Sequence, residues 1–360
     1  MENLGIRKVD PAFWKGKRVF VTGHTGFKGS WLCIWLNQME AEVKGYALRP
    51  STNPALFELA GIQELIFNEF GNIQDFDQVK KSMMDFDPHI LIHMAAQPLV
   101  RLSYKEPVDT YMTNVIGTVN VLEAARFCKN LKSIVSVTTD KCYENKEWIW
   151  AYRENEPMGG HDPYSSSKGC AELVTAAYRK SFFFEEGTPA LASARSGNVI
   201  GGGDWATDRL VPDALRAFNN GQTVTIRNPL AIRPWQHVLE PLSGYLILAE
   251  NLFLNGHKYA DAWNFGPDDG DCKNVKWILD QMVNIWGENA SWKLDKNPQP
   301  HEATFLKLDC SKAKTFLKWE PKWSIKTVLK RIHDWNRVFL TNGDLRKKCI
   351  EEINDYNNGI

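Results

Sequence analysis

A strand-like run, Lys17-Arg18-Val19-Phe20-Val21-Thr22, passes directly into Gly23-His24-Thr25-Gly26-Phe27-Lys28-Gly29, and a helical run carrying Trp31, Leu32, Ile34, Trp35 and Leu36 follows. Few local sequences constrain a fold more tightly. Glycines at this spacing between a strand and a helix mark the first turn of a parallel α/β sheet. The first allows the tight turn, the second lets backbone approach a ligand, and the third lets helix pack close to strand. Free N–H groups and the dipole at the helix start favour an anion. The stretch predicts a dinucleotide whose diphosphate lies on Gly23, Thr25, Gly26, Phe27 and Gly29.

The following segments keep the same rhythm. Glu42–Leu48 reads as the second strand, ending in Arg49, which either meets the extra phosphate of NADP or is an ordinary surface arginine. Asn72 and Ile73 precede a helix starting near Asp75 and fall beside an adenine. Ile90–Gln97 is a strand running into the small residues Ala95 and Ala96, where backbone can approach the cofactor. His93 within it reads as a satisfied strand-end histidine. A long helix over Val108–Phe127 carries Asn114; Ser133–Thr138 and Leu191–Arg195 continue the sheet. Strands alternating with helices predict an α/β fold, a Rossmann-type doubly wound parallel sheet whose ligands lie at the strand C-terminal ends. After Gly203 the elements shorten. The expected division is a nucleotide-binding domain over 1–200 and 236–266, a smaller discontinuous mixed α/β substrate domain over 201–235 and 267–345, and a polar, mobile tail over 346–360.

With 43 basic and 43 acidic residues the net charge is zero, which argues against nucleic acid or an anionic membrane as partner. Seven cysteines without a C-x-x-C favour reduced thiols over disulfides or a metal site. No secretory leader or membrane-length apolar run is visible, so a cytoplasmic location is expected.

The chemistry concentrates between Thr138 and Lys168. An apolar strand runs out into Thr139-Asp140-Lys141, and Asp162-Pro163 then opens a helix carrying Tyr164 and Lys168 one turn apart. Of the ten tyrosines only Tyr164 has a lysine four residues on. A phenol titrates near ~10 in water. A neighbouring ammonium is expected to lower that value, so that the tyrosine can take a hydroxyl proton while a hydride leaves the same carbon.

These residues resemble the extended short-chain dehydrogenase/reductase superfamily of nucleotide-sugar enzymes over nearly the whole chain. The narrower runs Val21–Leu32, His93–Arg101, Thr139–Tyr143, Gly197–Trp205 and Arg233–Val238 look like its CDP-glucose 4,6-dehydratase branch. The resemblance implies NAD as a restored cofactor and CDP-glucose as substrate. It implies C4 oxidation by Tyr164 with Lys168, a hydrogen bond from Thr139 to the C4 hydroxyl, loss of water across C5 and C6, and hydride return to C6. Asp140 carries over as the acid. Lys141 stands where dTDP-sugar dehydratases have a glutamate base, and serves either as that base or as an enolate stabiliser. Gln97, Arg195, Asn198 and Arg233 are implied near the sugar and diphosphate, with Leu210, Val211, His301 and Glu302 lining the nucleotide pocket. A homodimer or homotetramer paired through helices 108–127 and 163–182 is also implied, as is a role in bacterial surface-polysaccharide synthesis. A 4-epimerase shares the fold and the Tyr–Lys pair but needs no acid at C6, so Asp140 and Lys141 argue for the dehydratase. Retention of Tyr164, Lys168 and Asp140 argues against a non-catalytic cofactor sensor.

Overall fold

The computed structural model describes residues 6–287, 290–295 and 304–360. Its centre is a seven-stranded parallel sheet. The strands are β1 (Arg18–Thr22), β2 (Glu42–Ala47), β3 (Phe67–Phe70), β4 (Ile90–His93), β5 (Ser133–Val137), β6 (Ala190–Ser196) and, after three that lie outside this sheet, β10 (Ala262–Phe265). Their spatial order is β10-β6-β5-β4-β1-β2-β3. β1 pairs with β2 through Val19–Val43 and with β4 through Val19–Ile90, so the order reverses at β1. That reversal opens a crevice at the strand ends, where open α/β sheets bind ligands.

Side-chain alternation builds both faces. Val19, Val21, Ile90, Ile92 and Val135 enter one core; Phe20, Leu91, Ile134 and Leu191 enter the other. The Phe27–Gln38 helix packs on the first face and is buried from Gly29 to Leu36 on every side. A helix apolar all round needs a cover on its outer face. The cover is the Leu345–Asn358 helix, whose Tyr356 ring meets Trp35 edge-on at 5.8 Å. The tail expected to be mobile is thus a docked helix. Leu345, Cys349, Ile353 and Tyr356 recur at helical spacing and are buried, and the Tyr356 hydroxyl donates to Glu240 at 2.6 Å.

Two further expectations change. The helix expected over 108–127 is three joined pieces, Pro107–Tyr111, a π-helical turn Met112–Ile116, and Gly117–Ala125. The wide turn carries Asn114. The edge strand β3 has no counterpart among the predicted strands.

Beyond the large sheet, β7 (Asn198–Ile200) and β9 (Ile232–His237) pair in parallel, and β8 (Thr223–Ile226) lies apart on the substrate side. The Leu239–Asn255 helix returns to the large sheet, where the Ser133 hydroxyl donates to its Ala249 carbonyl at 3.0 Å. The Ile325–Leu340 helix sets Trp335 against Gly202, where an added Cβ would come within 2.1 Å of the indole.

Candidate active site

Gly23 has φ +79°, and a Cβ there would lie 2.7 Å from the Ala95 nitrogen. The glycine turn and the Ala95-Ala96 turn therefore touch, helped by the Ala95 N–H donating to Thr22 Oγ1 at 3.1 Å. A Cβ on Gly29 would meet the Gly23 carbonyl oxygen at 2.2 Å, so helix and strand close on each other. At Gly26 the nearest atom is 3.5 Å away. Protein packing leaves Gly26 room for a side chain, and the open space suits a diphosphate. Gly26 is also the N-cap and offers no side chain to the first helical N–H groups. These residues fit a dinucleotide. Thr25 Oγ1 donates to the Leu48 carbonyl at 2.8 Å and ties the turn to the end of β2. The Arg49 guanidinium lies 4.5 Å over the Phe70 ring. Ile73 is buried against Gly117, and Asn72 Oδ1 accepts the Gln74 N–H at 3.0 Å. His93 is held between Thr22 and Thr118 hydroxyls, and burial drives it down to about 3, as a structural histidine.

The reacting groups meet where β5 ends. Thr139 caps a single 3-10 turn, Asp140–Cys142. Its hydroxyl donates to Asp140 Oδ1 at 3.0 Å and lowers the Tyr164 phenol, which lines the same cavity. Asp140 Oδ2 has no hydrogen-bond partner, and a Cβ on Gly197 would lie 3.1 Å from it. Burial raises the Asp140 carboxyl, against the lowering influence of Lys141, Thr139 and Arg233. A buried carboxyl with one unpaired oxygen suits a proton donor.

The Asp162 N-cap accepts the Ser165 N–H at 2.9 Å, starts the Pro163–Ser181 helix, and puts Tyr164 and Lys168 on one face. Lys168 Nζ donates to the Val137 carbonyl at 3.2 Å. The expected lowering of the phenol by Lys168 is not found. Burial pushes Tyr164 up to about 12, partly opposed by Thr139 and by the Arg209 guanidinium. Lys168 is itself desolvated, down to about 8.

A cavity of about 310 Å³ opens over these groups, lined among others by Phe27, Lys141, Asn198, Leu210, Val211 and Arg233. A second, of about 300 Å³, reaches Asp140, Lys141 and Arg233 from the side of Glu144 and His161. Of the predicted substrate residues, Asn198, Leu210, Val211 and Arg233 thus gather around Tyr164.

Others do not. Arg195 is buried, donating to Glu172 Oε2 and to the Tyr143 hydroxyl at 2.7 and 2.8 Å. It shares its face of β6 with Leu191 and Ser193, which turns it toward the Pro163–Ser181 helix and away from the cavity. Burial alone would raise Glu172; Arg195, Thr138 and Ser193 outweigh it and hold the carboxyl below its usual range. The Gln97 amide is spent locally, donating to the Leu99 carbonyl and Thr110 Oγ1 and accepting the Leu99 N–H at 2.6 Å. Asn114 clasps the Gln97 backbone on both sides and donates to Ser167 at 2.9 Å. Both amides shape the Pro98–Arg101 wall. His301 and Glu302 lie outside the described residues.

Among the cations that line the cavity without a role in the sequence reading are Arg209 and Lys28. Arg209, just before Leu210, donates to Asp204 at 2.8 Å. Lys28 reaches in from the glycine-turn helix. Arg209 was signalled by its place before Leu210-Val211-Pro212. Lys28 stood inside the glycine motif, which assigns only a backbone role.

Comparison with known proteins agrees with this geometry. The family model described as GDP-mannose 4,6 dehydratase matches residues 20–332. A CDP-glucose 4,6-dehydratase of Salmonella typhimurium is 56% identical over 352 residues, covering 97% of this chain and 98% of the relative. Among solved structures, a UDP-glucose 4-epimerase of Thermotoga maritima superposes with TM-score 0.76 at 22% identity, covering 90% of this chain and 99% of that one. A dTDP-glucose 4,6-dehydratase of Bacillus anthracis in complex with NAD gives 0.73 at 22%, covering 89% and 97%. At those identities the likeness is one of fold. At the level of sequence, the chain belongs to the CDP-glucose 4,6-dehydratase family of nucleotide-sugar dehydratases.

Proposed function

We propose that this enzyme converts CDP-glucose, with NAD as a restored cofactor, to CDP-4-dehydro-6-deoxyglucose and water. One observation carries the reading beyond the superfamily: a buried carboxyl, Asp140, with an unpaired oxygen, held by Thr139 in the same cavity as Tyr164. Oxidation at C4 needs from the protein only a base, Tyr164, beside the dinucleotide that accepts the hydride, whereas loss of the C6 hydroxyl needs a proton donor beside it.

The dinucleotide would be held by the Gly23–Gly29 turn, by the ends of β2, β3 and β4, and by Tyr164 and Lys168. Bound there, it supplies a cationic hydride acceptor for C4 and the donor that returns the hydride to C6. Tyr164 takes the C4 hydroxyl proton, with Thr139 and Arg209 supporting the phenolate. The C4 ketone acidifies C5. The C5 proton leaves to a base, for which Lys141 is placed, and Asp140 gives its proton to the C6 hydroxyl, which departs as water. Lys168, fixed on the Val137 carbonyl, orients the site from below. The first turn of the Leu210–Asn219 helix lines the cavity, so its N–H groups with Arg209 and Arg233 suit the diphosphate. Arg209 takes the place first given to Arg195.

Val108, Tyr111, Met112, Ile116 and Leu173 expose apolar side chains on the two neighbouring helices, which supports a dimer through this face, or a tetramer built from two. No described helix is long and apolar enough to cross a membrane. A cytoplasmic enzyme supplying deoxyhexoses for surface polysaccharide fits this chemistry.

The test is incubation of the pure protein with NAD⁺ and CDP-, UDP-, dTDP- and GDP-glucose, followed by mass spectrometry. The expected result is loss of one water from CDP-glucose in preference to the others. A product of unchanged mass that co-elutes with CDP-galactose would replace the dehydratase reading with an epimerase.

A further inference from the structure

Lys28 is the second residue of the glycine-turn helix, so its backbone belongs to the diphosphate turn. Its side chain lines the catalytic cavity with Thr139, Asp140 and Tyr164, and its Nζ lies 5.8 Å from the Tyr245 ring centre. No described carboxylate is in ion-pair contact with it. The charged and titratable groups that act on it are Lys168 from the Pro163–Ser181 helix, Arg209 from before the Leu210–Asn219 helix, Asp140 from the turn after β5, and Tyr245 from the Leu239–Asn255 helix. Two are cations, and Asp140, the one acid among them, is buried and raised toward its neutral form.

An ammonium that leaves the diphosphate turn and enters the cavity of the reacting tyrosine acts differently on the two forms of a nicotinamide. The oxidised ring carries a positive charge; when a hydride leaves the sugar C4 with its electron pair for the ring, that charge is lost. We infer that Lys28 sets the redox balance of the bound dinucleotide, disfavouring the cationic oxidised ring relative to the neutral reduced one and so strengthening it as a hydride acceptor. The inference rests on the NAD reading above and makes Lys28 a positioning charge for the first half-reaction. Burial, with Lys168 and Arg209, lowers the lysine to about 7, against the raising influence of Asp140, so its charge fades as pH rises through neutrality.

A phosphate anchor would behave otherwise, because the diphosphate carries the same charge in both oxidation states. The experiment is measurement of the affinities for NAD⁺ and NADH on protein freed of bound nucleotide, by calorimetry and NADH fluorescence, for wild type and Lys28→Met at pH 6 and pH 8. At pH 6, Lys28→Met is expected to shift the affinity ratio toward NAD⁺ by about tenfold, equal to about 30 mV for a two-electron couple. At pH 8 the difference between the two proteins is expected to shrink, while the Lys168 contribution remains in both. Lys28→Arg, which keeps its charge, is expected to keep its full difference from Lys28→Met at both pH values. Equal weakening of NAD⁺ and NADH binding in Lys28→Met would overturn the inference in favour of a phosphate anchor. An unchanged ratio would also overturn it. Wild type binding neither nucleotide would overturn the cofactor reading itself, and this inference with it.

Discussion

Arg195 offers the sharpest separation of structural from substrate-binding roles. Its guanidinium and the Glu172 carboxylate are both about 95% buried at the side chain, 2.7 Å apart, with Ser193 donating to the same carboxylate oxygen at 2.7 Å and Tyr143 beside the guanidinium. Arg195→Met removes the ion-pair partner and leaves Glu172 hydrogen-bonded only to the Thr138 and Ser193 hydroxyls. Breaking a buried pair by deleting one partner costs about 3–5 kcal/mol. Unfolding entropy near ~2.1 cal/mol/K per residue gives about 0.76 kcal/mol/K for the 360-residue chain, so Tm is expected to fall by about 4–7 °C. Differential scanning calorimetry reads the shift, and KM for CDP-glucose below the new transition reads the second half of the claim: it is expected to stay within about twofold. The double variant Arg195→Met/Glu172→Met should recover part of the loss, because no buried charge is left alone. An unchanged Tm with KM raised tenfold would return Arg195 to the substrate and refute the reasoning.

Other outcomes are as specific. Tyr164→Phe is expected to lower turnover by at least ~10²-fold while nucleotide binding, read by calorimetry, is kept; full turnover would remove the phenol from the reaction. Asp140→Asn is expected to slow water loss more than C4 oxidation, so that absorbance of enzyme-bound NADH builds up after mixing with substrate; equal loss of both steps would contradict a role confined to elimination. Since burial raises Asp140, the wild-type elimination rate, followed by stopped flow, is expected to persist above the usual carboxylate range and to fall as rising pH removes the proton, with no such limb in Asp140→Asn. Tyr356→Ala should cost about 3–5 kcal/mol and lower Tm in thermal unfolding; a neutral effect would mean that the C-terminal helix is not docked on Trp35.

Backbone features were the most legible part of the sequence. Gly23, Ala95 and the run into Thr139 declare strand ends through steric demands that act locally, so the parallel sheet could be read with few errors. β3 escaped because Phe67-Asn68-Glu69-Phe70 is a short edge strand with half its residues polar, and its place is fixed only by pairing with β2. The C-terminal helix is masked in the sequence by its overall polarity, although Leu345, Cys349, Ile353 and Tyr356 form a helical stripe. Side-chain direction was least legible. Tyr164, Lys168, Glu172 and Thr175 share one helix face, yet nothing local shows that Glu172 draws Arg195 inward, that Asn114 spends its amide on the Gln97 backbone, or that Gln97 spends its own on Leu99 and Thr110. Lys28 was hidden for the same reason, since its motif describes the path of the chain and not where the side chain goes.

The central claim is that one site oxidises C4, eliminates water and returns the same hydride to C6. The most direct measurement is NMR of the product made from CDP-glucose carrying deuterium at C4, with unlabelled NAD⁺ present. The expected result is a new methyl group at C6 bearing that deuterium, with the cofactor pool unlabelled. A methyl group free of deuterium, with the label in released NADH, would contradict internal hydride return. Deuterium retained at C4 beside an intact C6 hydroxyl would contradict dehydration altogether.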